Sequence, residues 1–463
     1  MFDLAILGGT LVTPTQTQKA NLYARGGRIA AITADVLEEG ALETIDATGL
    51  FVYPGFIDTH VHSRDGGATH KEDFLHSTTA AACGGITTIC EMPNAIPAVI
   101  DAEAFAAQKA NLCAKAVTDF ALWGLCIGGR NNDKLVELAG CGVGAFKFFW
   151  GYAINKTTYG LVYNYDPADT NMIPPMDDGE VFSIFQAVAK TGKPIAIHAE
   201  NANLIRELTD HCVVGDYKNE YEALLHCRPA LAEVLVVQTA IEYSKATGVH
   251  LHILHISAKE TVGLLREAKK AGVNVTGETC PHYLCITADD YGRIGNMIKC
   301  YPPVRYQADQ DALWAGIADG TLSLVCSDHA PHTEKEKNDS LFKIPSGMCS
   351  TESMAPLMID AVNAGKLDKN RLAAILSQEP AKLFGLYPRK GSLQVGTDAD
   401  ITIVDFEKAK TIRAADLHSI SKVTAYDGVT VKGLPVYTIL RGQVIAKEGE
   451  PVTGKPTGQF VEG

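Results

Sequence analysis

The chain has 463 residues, of which 46% are hydrophobic and 21% are charged, as in ordinary folded globular proteins. Its 54 acidic and 41 basic residues give a formal net charge of -13. No run of Lys and Arg supplies the basic surface that binds phosphate backbones, so the composition excludes nucleic acid as a partner. The length fits either several ordinary domains or one large domain with a smaller one.

The twelve cysteines are scattered, without the close C-x-x-C spacing of a zinc knuckle or a redox motif. Cys90 and Cys326 lie in apolar runs, where a free thiol behaves as a small hydrophobic side chain. The N-terminus lacks the basic start of a signal peptide, and no charge-free apolar stretch reaches the roughly 18 residues of a membrane helix. We therefore expect a cytoplasmic protein in a reducing compartment, with no membrane partner.

The two ends of the chain predict short strands separated by turns. Residues 1–53 contain LAILGGTLVT and ETIDATGLFV, in which β-forming runs alternate with Gly, Asp and Thr. Residues 388–463 have the same texture in GSLQVGTDADITIVDF and PVYTILRGQVIAKEG. The two ends therefore resemble each other more than either resembles the middle.

Between residues 54 and 387, apolar strand-like runs alternate with amphipathic helical stretches. GITTICEMP, VGAFKFFWGY, PIAIHAEN and LSLVCSDHA are strand candidates, and AKETVGLLREAKKAG is a helix candidate. About eight such units predict an α/β fold with a parallel (β/α)8 barrel rather than an open doubly wound sheet. No glycine-rich phosphate fingerprint follows an early strand, which disfavours dinucleotide binding. The Tyr- and Asp-rich segment from Asn155 to Asp178 predicts an irregular loop over one end of the barrel.

Several polar side chains stand where apolar strands are expected to end, which is where parallel barrels place their active sites. They are His60, His62, Lys147, His198, His255 and Asp328. A single histidine at such a position is more often a structural residue than a ligand. The recurrence of four histidines, one acid and one lysine at equivalent positions favours a metal centre, because imidazole suits zinc and similar metals.

The spacing and surroundings of these residues support a metal centre. His60 and His62 are two residues apart, so on a strand they point to the same face and can bind one cation. Lys147 lies among apolar neighbours in AFKFF, which disfavours its charge and lowers its pKa. An uncharged amine can add carbon dioxide to become a carbamate, an anionic ligand able to bridge two metals. The alternative is a structural lysine that extends from an apolar edge to solvent.

The chain resembles the cyclic amidohydrolases of the amidohydrolase superfamily, which include dihydroorotases, allantoinases, hydantoinases and dihydropyrimidinases. PGFIDTHVH, HAEN, LHIS, SDHAPHT and the terminal KGSLQVGTDADITIVD carry the resemblance, which covers nearly the whole chain. It implies a (β/α)8 TIM barrel over residues 54–387 and a small β-sandwich domain from residues 1–53 and 388–463. It also implies two zinc ions bridged by carboxylated Lys147. The implied ligands are His60, His62, Lys147 and Asp328 for one ion, and Lys147, His198 and His255 for the other.

The same resemblance implies hydrolysis of the ring amide bond of a small cyclic ureide. Two metal ions lower the pKa of water toward neutrality and polarise a carbonyl. Asp328 would take the proton of the attacking water and deliver it to the departing ring nitrogen. The resemblance further implies a homo-oligomer, either a dimer or a tetramer.

Three residues favour a dihydroorotase-like reaction as the first hypothesis. Arg64, Asn94 and His332 match the residues with which dihydroorotases bind a substrate carboxylate. A planar guanidinium forms a bidentate hydrogen bond with a carboxylate, and the two other side chains complete the hydrogen bonds of that carboxylate. Arg64 could instead form a structural ion pair with Asp65 or Glu72.

Other features favour an allantoinase, a hydantoinase or a dihydropyrimidinase as the alternative. Tyr301 stands where dihydroorotases usually have asparagine, which removes an amide group from a ring-binding position. GETCPHYL and the C-terminal region are also more similar to allantoinases and hydantoinases. A binding protein without catalysis is a further hypothesis, which the retention of all six ligand-type residues argues against. A deaminase or an exocyclic amidase on the same barrel also stays open.

Overall fold

The computed structural model describes residues 1–162, 165–166, 168–452 and 455–463. The strands are β1 (Phe2–Val12), β2 (Thr17–Arg25), β3 (Arg28–Thr33), β4 (Ala41–Asp46), β5 (Phe51–Pro54), β6 (Phe56–Val61), β7 (Ile86–Glu91), β8 (Asp119–Leu125), β9 (Ala145–Trp150), β10 (Ala153–Asn155), β11 (Leu161–Val162), β12 (Met172–Ile173), β13 (Ile195–Ala199), β14 (Leu251–Ile253), β15 (Val275–Thr279), β16 (Leu324–Val325), β17 (Ile401–Thr411), β18 (Thr430–Leu440), β19 (Gln443–Lys447) and β20 (Glu450–Pro451). The α-helices are α1 (Phe74–Cys83), α2 (Ala102–Cys113), α3 (Leu135–Gly140), α4 (Asp178–Ala189), α5 (Ala202–Asp210), α6 (Glu220–Cys227), α7 (Ala230–Thr247), α8 (Lys259–Lys270), α9 (Pro281–Cys285), α10 (Tyr291–Ile294), α11 (Gln307–Ala318), α12 (Thr351–Asn363), α13 (Lys369–Ala373) and α14 (Glu379–Leu383).

Eight parallel strands form the centre of the molecule, in the order β6, β7, β8, β9, β13, β14, β15 and β16. The segment after β16 returns to β6, where His329 pairs with Val61 and its carbonyl accepts from the backbone N–H of His62 at 2.7 Å. This contact brings the two edges of the sheet together. The predicted (β/α)8 barrel is therefore confirmed.

The barrel strands are buried on both faces, which explains their apolar sequences. Every residue of β6, β7, β8 and β9 is buried. Helices cover the outside of a parallel sheet while side chains fill its inside, so both faces select apolar residues. A polar residue in such a strand therefore calls for a local partner.

The two chain ends form one separate nine-stranded sheet. Its order is β20-β19-β18-β17-β5-β1-β2-β3, and β4 pairs with β1. β5 pairs antiparallel with β17, with Pro54 opposite Ile401, and this pairing joins the N-terminal strands to the C-terminal ones. The predicted β-rich unit built from both ends is confirmed. Its exact boundaries at residues 53 and 388 stay a prediction.

A buried cluster of charged residues lies where the barrel meets this sheet. The Lys390 Nζ atom is 2.7 Å from Asp119 Oδ2 and 2.5 Å from Asp400 Oδ2, and 1% of each of the Lys390 and Asp119 side chains is exposed. Asp119 also accepts from the Arg441 guanidinium. Because Asp119 begins β8 and Arg441 follows β18, these ion pairs connect the two parts of the molecule.

The described part of the segment from Asn155 to Asp178 contains more regular structure than the predicted loop. β11 and β12, which lie in it, pair antiparallel with β10, which ends at Asn155, and Asp178 is already the first residue of α4. Strands of two or three residues carry too little periodicity to be recognised in a sequence. Residues 163, 164 and 167 of this predicted loop lie outside the described residues.

Within the described ranges, one stretch, Glu220–Thr247, has the length and apolar composition of a membrane-crossing helix. It comprises α6 and α7, and 56% of its most apolar window is buried inside the molecule. A core helix of a globular barrel passes the same test.

Candidate active site

All six polar residues predicted at strand ends meet in one cavity at the carboxyl ends of the barrel strands. The cavity has a volume of about 480 Å³, measured to its open mouth. The following six side chains line it and form what we call its floor: His60, His62, Lys147, His198, His255 and Asp328. Lys147 does not end its strand as the sequence predicts. It is the third residue of β9 and lies level with Ala196 of β13.

Two histidines and one carboxylate form the first half of the cavity floor. His60 Nε2 lies 3.3 Å from Asp328 Oδ1, and His62 Nε2 lies 3.8 Å from the same oxygen. One ligand atom from each of these residues lies within 4.8 Å of the others. The three side chains can therefore share a single cation.

Two further histidines and the lysine form the second half. His198 Nδ1 lies 3.1 Å from His255 Nε2, and the His255 ring centroid is 5.4 Å from that of His60. The buried Lys147 Nζ and His255 Nδ1 atoms have no hydrogen-bond partner among the described residues. Unpaired polar atoms are costly in a protein interior, so this part of the floor has the character of an incomplete binding site.

Hydrogen bonds behind the floor fix the orientation of three histidines. His60 Nδ1 lies 2.9 Å from Glu278 Oε1, and His62 Nδ1 lies 2.8 Å from Asn94 Oδ1. His198 Nε2 lies 3.0 Å from Glu200 Oε2. When each of these nitrogens donates to its oxygen, the other ring nitrogen presents a lone pair to the cavity, as it must to bind a metal.

Burial shifts the pKa values of Lys147, His198 and His255 toward their neutral forms. Burial lowers the pKa of Lys147 to about 7, although Asp328 and Glu278 oppose it. Burial also lowers the pKa of His198 to about 4 and holds that of His255 well below its ordinary range. Neutral imidazoles and a neutral amine are the forms that bind metals or add to an electrophile.

Backbone strain is concentrated at the same place. Six non-glycine residues in the described part of the chain have positive φ, and three of them line the cavity. These are Arg64 at 61°, His255 at 35° and Asp328 at 48°. Such conformations cost about 1–3 kcal/mol each and persist where the surrounding structure holds them for function.

These features together fit a metal centre. The donor set combines imidazole nitrogens with a carboxylate, which suits zinc and similar ions. The unpaired Lys147 and His255 atoms fit further ligand positions, and the hydrogen bonds from Glu278, Asn94 and Glu200 fix the rings as metal sites require.

The four residues predicted to bind substrate occupy two layers. Arg64 and Tyr301 line the cavity. Asn94 lies behind the wall and contacts His62, as described above. His332 also lies behind it, with Nε2 3.2 Å from Arg64 Nη2 and 2.9 Å from the carbonyl oxygen of Ser346. The position of Asp65, which is paired with Lys115, argues against the structural ion pair considered for Arg64.

Sequence reasoning did not identify several residues of the cavity wall. Tyr152, Leu161, Cys300 and Ser346 all line it. The sequence could have indicated Tyr152, because it closely follows the strand that contains Lys147. A residue that follows a barrel strand lies at the carboxyl end of that strand, where the active site is expected. Leu161 belongs to β11, whose position over the cavity depends on tertiary packing.

Comparison with known proteins decides the family. The Amidohydrolase family profile matches residues 51–445. The chain belongs to the amidohydrolase family. Its relatives include an L-hydantoinase and an allantoinase, and with the family match they identify this amidohydrolase as a hydrolase acting on cyclic amides with small-molecule substrates.

The relatives of this amidohydrolase match it from end to end. It is 35% identical to an L-hydantoinase of Paenarthrobacter aurescens, covering 100% of this chain and 98% of the relative. It is 37% identical to an allantoinase of Rubrobacter xylanophilus, with 99% and 97% covered. Among solved structures, an L-hydantoinase (dihydropyrimidinase) from Arthrobacter aurescens covers 100% of both chains at 34% identity and a TM-score of 0.93. These relatives support the hydantoinase and allantoinase alternative better than the dihydroorotase-like hypothesis.

Proposed function

We propose that this amidohydrolase opens the ring amide bond of a hydantoin- or allantoin-type ureide with the help of two metal ions. The meeting of four histidines, Lys147 and Asp328 on one cavity floor carries the proposal. The end-to-end similarity to an L-hydantoinase and to an allantoinase supports the choice of ring.

The two ions are proposed to be zinc. His60, His62 and Asp328 would hold one ion, while His198 and His255 would hold the other. Lys147 would bridge both ions as a carbamate, formed when its neutral amine adds carbon dioxide and releases one proton. Its burial and its lowered pKa support this step. When bound, the ions would lower the pKa of water and polarise the ring carbonyl.

Asp328 is proposed to move the proton during ring opening. Its carboxylate faces the cavity beside His60, so it can take a proton from the attacking water. The same oxygen can then deliver that proton to the departing ring nitrogen, which allows the ring C–N bond to break. Tyr152 and Tyr301, on the cavity wall, would position the ring between them and the floor.

The test is turnover of a substrate panel by the zinc-loaded protein. The panel contains hydantoin, 5-substituted hydantoins, allantoin, dihydrouracil and dihydroorotate. We expect the five-membered ureides to give the highest kcat/KM. Absence of turnover of hydantoin, the 5-substituted hydantoins and allantoin, by protein shown to contain zinc, would refute the proposal.

A specific observation keeps dihydroorotate, or another ring with a carboxylate substituent, as a second candidate. Arg64 lines the cavity, and no carboxylate of the described residues lies within ion-pairing distance of its guanidinium. Its Nε donates to the carbonyl oxygen of Pro331 at 3.2 Å, which leaves charge available for an anion. Arg64→Ala should then reduce kcat/KM for dihydroorotate far more than for hydantoin. An equal loss on both substrates would remove this candidate.

The proposal includes a cytoplasmic homo-oligomer, either a dimer or a tetramer. All twelve cysteines are free thiols, as expected in a reducing compartment. Leu231 and Leu235 are 51% and 38% exposed on one face of α7, which supports contact with a second copy. Size-exclusion chromatography with light scattering tests the oligomeric state.

A further inference from the structure

We propose that Arg228 is a positioning residue that connects the aromatic wall of the substrate cavity to the metal-binding histidine His198. The inference rests on the proposed function, because it assigns His198 to a metal. Arg228 follows α6, outside every motif that identified the site. Its side chain nevertheless lies behind both the wall and the floor of the cavity.

Glu200 forms the connection between Arg228 and His198. Its Oε2 atom lies 3.0 Å from His198 Nε2 and also accepts from Arg228 Nη1. Only 2% of the Glu200 side chain is exposed, so this carboxylate would be costly to bury without a cation. Arg228 therefore keeps Glu200 charged and in place, and Glu200 in turn fixes the orientation of the His198 ring.

The face of the same guanidinium contacts the aromatic wall of the substrate cavity. Arg228 Cζ lies 3.4 Å from the centroid of the Tyr301 ring, which is a close cation–π stack. Arg228 also interacts with the Tyr152 side chain. Both tyrosines line the cavity, and the Tyr152 ring centroid is 4.9 Å from that of His198.

A second buried arginine holds this arrangement from behind. Arg305 Nη1 donates to the carbonyl oxygen of Arg228 at 3.0 Å, and Arg305 Nε donates to Ser257 Oγ at 3.0 Å. Ser257 in turn donates to Glu233 at 2.5 Å. Arg305, Ser257 and Glu233 are each more than nine-tenths buried, and Ser257 follows the other histidine of this half, His255, by two residues.

This geometry makes metal binding and substrate fit depend on one side chain. A planar guanidinium can stack on one ring while its edge binds a carboxylate, whereas a lysine ammonium cannot do both. Loss of the stack should loosen Glu200, and a loosened Glu200 should weaken the metal site. Groups that hold metal-binding histidines typically contribute about 10–100-fold to metal affinity.

The experiment measures zinc affinity of the full-length protein by competition with a chromogenic chelator, without substrate. We expect Arg228→Lys and Glu200→Gln each to weaken zinc binding by about 10–100-fold, and the double variant to add little to either. Tyr301→Leu, which removes the stacked ring, should weaken zinc binding by about threefold or more. Tyr301→Phe, which keeps the ring, should bind zinc more tightly than Tyr301→Leu. Turnover should show a raised KM in Arg228→Lys.

The matched control is Arg266→Lys, because Arg266 forms an ion pair with Asp319 at 2.7 Å on the exposed surface. Its zinc affinity should equal that of the wild type. Tyr301→Leu keeps the test decisive if the Arg228 variants fail to fold. Zinc affinity within twofold of the wild type in Glu200→Gln and Tyr301→Leu would overturn the inference alone. A wild-type protein that binds no zinc would instead overturn the proposed function.

Discussion

Asp328 is placed to serve two roles, as a metal ligand and as a proton carrier. It lies beside His60 and His62 in the candidate ligand set, and it also faces the open cavity. If Asp328 were only a metal ligand, its substitution would affect turnover only through loss of the metal. A residue that also moves a proton would be needed for turnover even when the metal remains bound.

We therefore expect Asp328→Asn to retain most of its zinc and to lose turnover. Asparagine keeps an oxygen near His60 but cannot take a proton, so kcat should fall by about 10²–10⁴-fold. Zinc content by atomic absorption and kcat on the best ureide provide the measurement. A kcat within tenfold of the wild type would remove the proton-transfer role.

Lys147 should be required for the metals themselves. Lys147→Ala removes the bridging ligand, so the purified variant should contain little zinc and show no turnover. Millimolar acetate or propionate should restore both in part, because a short carboxylate can occupy the space left by the side chain. Chloride at the same concentration is the control. Full two-zinc occupancy in the untreated variant would contradict the bridging role.

The floor residues could be predicted from the sequence, while the residues behind them could not. His60, His198 and His255 follow or end apolar strands, and a parallel barrel brings such positions together whatever the details of packing. Arg228 lies between two helices and reaches the site through its long side chain. Its role depends on contacts between distant parts of the chain, which no local pattern encodes.

At the scale of elements, two buried lysines hold the segment that carries Ser346 to the cavity. Lys299 donates to the carbonyl oxygens of Leu341 and Ile344 at 2.5 and 2.6 Å, and Lys337 donates to that of Pro345 at 3.1 Å. Each lysine is 1% exposed. A carbonyl group is a dipole and carries no net charge. Its hydrogen bonds therefore compensate only in part for the hydration that the buried ammonium groups lose.

This arrangement predicts that the contribution of Lys299 to stability depends on pH. Burial, followed by repulsion from Lys337 and Arg228, lowers the pKa of Lys299 to about 7, and attraction to Glu220 opposes this only in part. The unfolded chain keeps the ordinary value of 10.5, so above pH 7 it binds more protons than the folded protein. The folded state therefore gains stability as pH rises from about 7 toward 10.

The free energy of unfolding of the wild type should increase by roughly 2–3 kcal/mol relative to that of Lys299→Met between pH 6 and pH 9. Urea unfolding at each pH provides the measurement. Lys343→Met is the control, because Lys343 is 71% exposed and should show no such change. A difference that is constant with pH, or that reverses, would contradict the burial of a charged Lys299.

The small sheet of β10, β11 and β12 is the element that could not be predicted from the sequence. The composition of the chain from Asn155 to Asp178 predicts a loop. Its residues instead pair in short strands and pack against apolar side chains such as Phe149 and Ile127. Pairing of two or three residues is decided by this packing rather than by propensity.

At the scale of the whole molecule, the buried ion pairs around Lys390 join the barrel to the terminal sheet. Attraction to Asp400 and Asp119 raises the pKa of Lys390 against the effect of its burial. Lys390 is therefore charged throughout the ordinary pH range. The two parts of the molecule meet through charge as well as through apolar contact.

Lys390→Met should destabilise the protein by about 3–5 kcal/mol, because it leaves the carboxylates of Asp119 and Asp400 buried without their main cation. Urea unfolding followed by fluorescence provides the measurement. Lys382→Met, which removes a half-exposed lysine paired with Glu379, should change stability by less than about 1 kcal/mol. Similar losses in the two variants would show that the Lys390 cluster is not a structural junction.

The left-handed backbone at Arg64, His255 and Asp328 bears on attempts to engineer this protein. Glycine relieves strain at such positions, so an unguided search for thermostable variants would tend to select it there. Each of those substitutions would also remove a side chain from the cavity wall, so heat resistance would be gained at the cost of turnover. A library meant to keep activity should therefore fix these three codons and vary the distant surface, including the long terminal sheet.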